Sequence, residues 1–215
     1  MKSILITIIA VALTTSAMAS DFGFGKKTNP NSLSPMHSTG SYVVDEGNMI
    51  FSLGYGSPNI ALTIMRGFAP AGVQSKGAGP LHFKFEYMLS DRFGAGIVVN
   101  QVSSSASWTS DSLGGPYNYE ASYNSIAFNI RFNWHYFNTN KVDLYAGGGV
   151  GYKKNNWSFG GNDQAWIDRQ SITQILPLGL EFTAGVRYFF TDFIGAYVEV
   201  GVAKSIIQGG IAIKL

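Results

Sequence analysis

The chain has 215 residues and a formal net charge of +2, and only 13% of its residues are charged, about half of the roughly 25% typical of soluble domains. The 46% hydrophobic and 14% aromatic content excludes an intrinsically disordered chain, and the near-neutral charge excludes the basic surface of a nucleic-acid-binding protein. Because cysteine is absent, disulfides, thiolate metal sites and a cysteine nucleophile are excluded as well.

The first nineteen residues have the pattern of a secretory signal peptide. A basic residue near the start is followed by an apolar core at 4–13 and by the small-residue cleavage site Ala17-Met18-Ala19. The alternative, a membrane-spanning helix, needs about 20 apolar residues, more than this core contains. Residues 20–46 are rich in Gly, Asn, Pro and Ser, which predicts a flexible segment before a single domain at 47–215.

From residue 47 onwards, apolar and polar side chains alternate in segment after segment. Alternation with a period of two predicts β-strands whose two faces meet different surroundings, and it is clearest over residues 125–136. Eight strands are predicted in chain order, at about 49–55, 81–89, 93–108, 125–136, 142–152, 178–188, 194–202 and 209–215.

The predicted connections alternate between short and long. The short ones, rich in turn formers, are 90–92, 138–141 and 191–192, the long ones are 57–80, 109–122 and 160–177, and the last, 204–208, is again short. Short turns at one end, long loops at the other and an even strand count are typical of outer-membrane barrels. The predicted fold class is therefore all-β, an eight-stranded antiparallel up-and-down transmembrane β-barrel.

The apolar faces of the strands are predicted to contact lipid. The alternative is a secreted lipocalin-like barrel with an apolar lumen, but an eight-stranded barrel is too narrow to enclose so many large apolar side chains. The opposite face is rich in glycine and fits a narrow interior. The positions assigned to lipid are Phe83, Phe85, Ile126, Phe128, Ile130, Phe132, Leu180, Phe182, Val198 and Val200.

Aromatic residues cluster near the predicted strand ends, as expected at the two membrane interfaces. On the short-turn side they are Tyr87, Phe93, Tyr136, Phe137, Tyr188, Phe190 and Phe193, and on the long-loop side Trp108, Tyr123, Tyr152 and Trp157.

The inward face is predicted to carry eight charged residues, four basic and four acidic. They are Lys84, Glu86, Arg131, Asp143, Glu181, Arg187, Glu199 and Lys214. Buried charges must be paired and hydrogen-bonded, so a structural ion-pair network that fills the lumen is expected, although the pairing partners are not identified by the pattern. A gated pore or proton path is the alternative.

The final third of the chain contains the motifs GVRYFFTD at 185–192, EVG at 199–201 and a closing GIAIKL at 210–215. Together with the turn at 90–94, this pattern resembles small outer membrane β-barrel proteins of the Bacteroidota. The resemblance covers about 47–215 and implies an OmpA/OmpX-like barrel, inserted by the barrel assembly machinery into a Gram-negative outer membrane. Members of this group mostly lack a defined activity. Leu215 departs from the aromatic residue that usually ends such chains.

The predicted strands contain two inward histidines, His82 and His135, which could serve as a base in an enzyme. A lipid A-modifying enzyme would need a nucleophile beside a base, but no serine follows His135 at the spacing that would share its face. His135 also lies near the short-turn end, whereas lipid A occupies the outer leaflet. Metal-ligand spacings, phosphate loops and dinucleotide fingerprints are absent from the sequence, so we expect neither enzymatic activity nor a cofactor.

The expected function is therefore structural or interactive, through extracellular loops above a lumen filled by polar side chains. The expected partners are outer-membrane lipid, the assembly machinery and an unidentified extracellular ligand. Tyr117, Tyr119, Trp157 and Trp166 would either contact that ligand or pack the loops onto the barrel rim. A narrow channel or hydrophobic-solute conduit is the alternative, and a lipid A-modifying enzyme is less favoured.

Overall fold

The computed structural model describes residues 42–68, 72–111, 116–170, 172 and 176–215. The predicted signal peptide and most of the predicted N-terminal segment lie outside these residues. Within them, neither helix is long and apolar enough to cross a membrane.

The described chain forms a closed antiparallel barrel of eight strands, in which consecutive strands pair and β1 also pairs with β8. The strands are β1 (Met49–Ser57), β2 (Gln74–Ser90), β3 (Phe93–Ser110), β4 (Tyr117–Asn138), β5 (Val142–Gly161), β6 (Leu178–Phe189), β7 (Ile194–Val202) and β8 (Ile207–Lys214). Two helices lie in the longer connections, α1 (Ile60–Phe68) and α2 (Gln164–Ile167). The predicted eight-stranded, all-antiparallel, up-and-down fold is confirmed.

Strands β2, β4 and β5 extend further towards the long-loop end than the alternation predicts. Pairing of β3 with β4 continues to Ser110 and Tyr117, so most of the loop predicted at 109–122 is strand. The loop predicted at 57–80 is shortened by β2 and contains α1, and β5 continues past its predicted end to Gly161, before the connection that contains α2. The prediction failed at these strand ends for two reasons. Strand β2 begins with small and polar residues on both faces, whereas the extended ends of β4 and β5 carry aromatic residues on the inward face and polar residues outside, the reverse of the pattern in the rest of each strand.

Helix α1 is fixed to the long-loop end of the barrel by Asn59. The Asn59 side chain caps the helix by accepting from the Leu62 amide at 3.0 Å, and its Nδ2 donates to the Ser103 carbonyl of β3 at 3.3 Å. The Ser104 hydroxyl donates to the same Asn59 oxygen at 3.3 Å. One polar residue therefore both starts α1 and attaches it to β3.

The short-turn end of the barrel is filled by an apolar cluster that includes residues preceding β1. The buried members are Val43, Val44, Ile50, Met88, Phe189, Tyr197 and Ala212. The Val43 amide donates to the Thr139 carbonyl at 2.6 Å, and Asn138 Nδ2 donates to the Val44 carbonyl. The end of the segment predicted to be flexible, at 42–46, thus packs against this end of the barrel.

Glycine on the inner face makes room for large side chains. An ideal Cβ at Gly185 would lie 2.6 Å from Glu199 Cγ and 2.7 Å from Tyr145 Cζ, and both of these side chains are buried. Such a distance requires the ring or the carboxylate to move.

Replacing Gly185 by alanine is therefore expected to lower the free energy of unfolding by about 1–3 kcal/mol, the usual cost of overpacking. Gly160→Ala is the matched control, because its Cβ would come no closer than 3.9 Å to a neighbour, Glu120 Cβ. Urea unfolding of both variants in detergent micelles measures the difference, and equal stabilities would contradict this packing.

Candidate functional site

The outer surface of the barrel is an apolar band. Nine of the ten residues assigned to lipid from the sequence are exposed on the outside, and the tenth, Phe85, is half-buried with its ring centroid 5.0 Å from that of Phe51. Soluble monomers rarely expose a continuous apolar surface of this extent.

The band has a polar limit at the long-loop end. Ile126 pairs with Gln101 on one side and with Lys154 on the other, and all three side chains point outwards. On β4 the band therefore runs from Ile126 to Tyr136, with Ile130 near its middle.

Among the described residues, aromatic side chains form an outward belt at the short-turn end. All seven residues predicted for that end are exposed. At the other end Tyr152 points outwards, but the prediction for Trp108, Tyr123 and Trp157 was wrong, because these side chains share the inward face of their strands. The rings of Tyr123 and Trp157 lie 4.7 Å apart on that face.

The middle of the lumen contains four charged side chains centred on Glu199. Its carboxylate accepts a hydrogen bond from Arg131 Nη1 at 3.1 Å and forms an ion pair with Lys84 Nζ at 2.7 Å. The Tyr145 hydroxyl donates to it at 2.7 Å and Gln208 Nε2 at 2.6 Å. Arg131 also approaches Glu181 at 3.5 Å, so two cations face two carboxylates and the charges balance.

A second charged group lies nearer the short-turn end. Arg187 pairs with Asp143 at 3.1 Å and, through its other terminal nitrogen, with Glu86. His135 lies between the same carboxylates, with Nδ1 2.7 Å from Asp143 and Nε2 3.0 Å from Glu86. Ionised carboxylates only accept hydrogen bonds, so a doubly protonated imidazolium satisfies both contacts and balances the charge of this group.

Asn133 and Tyr145 join the two groups into one lumen network. Asn133 accepts from Arg131 Nε at 2.6 Å and donates to Glu86, and the Tyr145 ring centroid lies 4.1 Å from the Arg187 guanidinium. Lys214, also predicted to face the lumen, lies outside the network; it is partly exposed and donates to the Val43 carbonyl at 2.8 Å.

The space left inside the lumen network is very small. The cavity between Lys84, Glu86, Arg131 and Arg187 measures about 10 Å³. A single water molecule needs about 10–15 Å³ by this measure. Among the described residues, side chains therefore fill nearly all of the lumen at this level.

The structure brings together a serine, a histidine and an asparagine that sequence reasoning did not connect. His82 Nε2 lies 3.3 Å from the Ser205 hydroxyl and its Nδ1 lies 2.6 Å from Asn100 Oδ1. Ser205 is in the turn between β7 and β8, 123 residues from His82, so no local spacing signals the contact. All three side chains are buried.

Two of the aromatic residues predicted as loop contacts, Tyr119 and Trp166, pack against one another above the barrel. Trp166 of α2 contacts Tyr119 at a centroid distance of 4.8 Å, Trp108 at 5.7 Å and Phe159 at 5.9 Å. Trp108 also stacks on Tyr119 at 5.6 Å. The rings thus hold α2 against the extended ends of β3, β4 and β5, which corresponds to the packing alternative.

Comparison with known proteins identifies no family for this chain. No family model and no curated protein sequence matches it. Among solved structures, the chain is similar to the outer membrane protein OprG from Pseudomonas aeruginosa, with 14% identity and a TM-score of 0.45 over 80% of this chain and 97% of that one.

It is also similar to Ail, the attachment invasion locus protein of Yersinia pestis, with 14% identity and a TM-score of 0.33 over 79% of this chain and 99% of that one. A chain from the de novo design of transmembrane β-barrels gives 12% identity and a TM-score of 0.37 over 80% of this chain and 98% of that one. Similarity at this level assigns no function.

Removing one charge from the lumen network is expected to destabilise the barrel strongly. Arg131→Met leaves two buried carboxylates short of a partner, and breaking a buried pair in this way costs roughly 3–5 kcal/mol. In the double variant Arg131→Met with Glu199→Gln, one cation (Lys84) faces one carboxylate (Glu181). This variant should therefore recover part of the lost free energy of unfolding.

Denaturant unfolding of these variants measures the effect, with Arg92→Met in the exposed turn between β2 and β3 as the control. That control should stay within about 0.5 kcal/mol of the parent protein. An Arg131→Met barrel as stable as the control would mean that water, and not the network, compensates these charges.

Proposed function

We propose that the protein is an integral β-barrel of a Gram-negative outer membrane, with a lumen closed by its own side chains and its role carried by the long-loop end. The observation that carries the proposal is the inverted arrangement of the barrel, with an apolar band outside and paired charges inside. A soluble barrel requires the opposite. In lipid, only helices and closed barrels satisfy every backbone polar group.

The proposed orientation and export follow from sequence and topology together. Barrels of this kind place short turns in the periplasm and long connections outside the cell. The predicted signal peptide at 1–19 would direct export, and the barrel assembly machinery would insert the domain. The Bacteroidota-like and OmpA/OmpX-like pattern at 180–215 belongs to the same proposal.

Two barriers in series support a structural or interaction role over the narrow-channel alternative. The lumen network occupies the middle of the barrel, and the apolar cluster around Val44 and Met88 fills the short-turn end. Conduction would require both to rearrange. Barrels with an aqueous channel have many more strands, for example 16–18 in porins.

The proposal includes no catalytic activity. The arrangement of Ser205, His82 and Asn100 has the order of a nucleophile, a base and an orienting amide. Ser205 is only 3% exposed and His82 only 1%, so a substrate carbonyl could not reach the hydroxyl without displacing the surrounding chain. A structural role in fixing the turn between β7 and β8 accounts for the same contacts.

Membrane insertion gives the test of the proposal. Ile130→Arg places a charge near the middle of the apolar band, where an outward arginine costs about 2–4 kcal/mol in lipid. Asn124→Arg is the matched control, because Asn124 is exposed on the same face of the same strand, just beyond the polar limit of the band. There the cost should be about 0–1 kcal/mol.

Folding of both variants into phosphatidylcholine vesicles, followed by denaturant titration, measures this difference. Only Ile130→Arg should lose a large part of its stability in the bilayer. Equal behaviour of the two variants would contradict a lipid-facing band.

A further inference from the structure

A second cavity opens at the long-loop end, on the opposite side of the lumen network from the apolar cluster. Its volume is about 330 Å³. This lies within the range of about 300–1,000 Å³ found for small-molecule sites. The cavity belongs to neither barrier described above, and neither His82 nor Ser205 lines it.

Two walls of the cavity are apolar. Ile60, Ala61 and Ile64 of α1 form one side, and Ile64 is 48% exposed. The paired rings of Tyr123 and Trp157 lie on the inner face of β4 and β5 and line the cavity as well. These surfaces fit the hydrophobic body of a ligand.

Two lysines line the same cavity. Lys153 lies on the inward face of β5, and Lys204 lies in the turn between β7 and β8. The Lys204 ammonium donates to the neutral hydroxyl of Ser125. Burial, together with the positive charge of Lys153, lowers the pKa of Lys204 to about 8. An anion placed between the two lysines would relieve this repulsion.

The floor of the cavity is formed by amides. Asn100 and Asn129 each donate to Glu181 Oε2 at 3.1 Å, and Arg131 approaches the other oxygen of that carboxylate. The negative charge of Glu181 is therefore already balanced by Arg131 and by the two amide donors. Asn129 Oδ1 is buried and has no hydrogen-bond partner among the described residues, which leaves an acceptor on the cavity floor.

We propose that this cavity binds a small organic carboxylate with an apolar body. The carboxylate lies between Lys153 and Lys204, and the body packs between α1 and the Tyr123–Trp157 pair. A water molecule or a hydroxyl of the ligand donates to Asn129 Oδ1. The inference rests on the proposed function only for the side of the membrane to which the cavity opens.

Phenylacetate is a suitable probe because two compounds of nearly the same shape serve as controls. 2-Phenylethanol carries no charge, and 2-phenylethylamine carries a positive charge in place of the negative one. The full barrel, folded in phosphatidylcholine nanodiscs, is titrated with each compound and followed by amide chemical shifts in NMR spectra. We expect phenylacetate to shift the amides of Lys153, Ile64 and Lys204 and to bind at least about tenfold more tightly than the other two. If 2-phenylethanol bound as tightly as phenylacetate, the proposed recognition of the carboxylate would be wrong.

Lysine variants test whether the cavity, and not the general charge of the surface, binds the anion. Lys153 faces the cavity, whereas its neighbour Lys154 is exposed on the outer face of the same strand. Lys153→Met and Lys204→Met should each weaken phenylacetate binding at least about tenfold, and Lys204→Arg should retain it. Lys154→Met should leave the dissociation constant unchanged.

Circular dichroism of each variant checks that the barrel is still folded. Weaker binding by a folded variant then measures the loss of a contact in the cavity. Unchanged binding in folded Lys153→Met and Lys204→Met would overturn the inference. A barrel that incorporates into nanodiscs but binds none of the probes would contradict this inference alone. Failure to incorporate into lipid would contradict the proposed function instead.

Discussion

The architecture depends on pairing charges inside a narrow barrel. Arg131, Arg187 and their carboxylate partners are almost fully buried, and each would be very costly there without the others. Glycine at positions such as 185 leaves room for the side chains that carry or support these charges. The apolar residues are then left for the outer face, so the filling of the lumen and the character of the exterior are two consequences of one constraint.

The sequence predicts the parts of the fold in which one face is apolar and the other polar. The limits of β7 are predicted to the residue, and those of β1 and β6 to within two, because alternation persists along their whole length. The alternation is lost at the start of β2, where both faces carry small and polar residues, and it is inverted where β4 and β5 rise beyond the apolar band, because aromatic residues lie there on the inward face. The inward positions of Tyr123 and Trp157 were missed there, although the unbroken register from Ser125 and Asn155 determines them.

Long-range contacts were beyond sequence reasoning for a different reason. Charge alternation suggests which residues face the lumen, but the partners of Glu199 come from β2, β4, β5 and β8, and only barrel closure determines which of them meet. The approach of Ser205 to His82 has the same origin. The cavity beneath α1 depends on a helix within a segment that the sequence describes only as a long loop.

The described barrel has two parts, a lumen filled by paired side chains and a long-loop end with a cavity large enough for a small ligand. In the proposed function, the lumen network and the apolar cluster block passage through the barrel. The most direct measurement is the current across a planar lipid bilayer that contains the purified monomer. We expect no stable unit conductance at neutral pH and moderate voltage. Steady single-channel openings of uniform size from the unmodified chain would contradict the account.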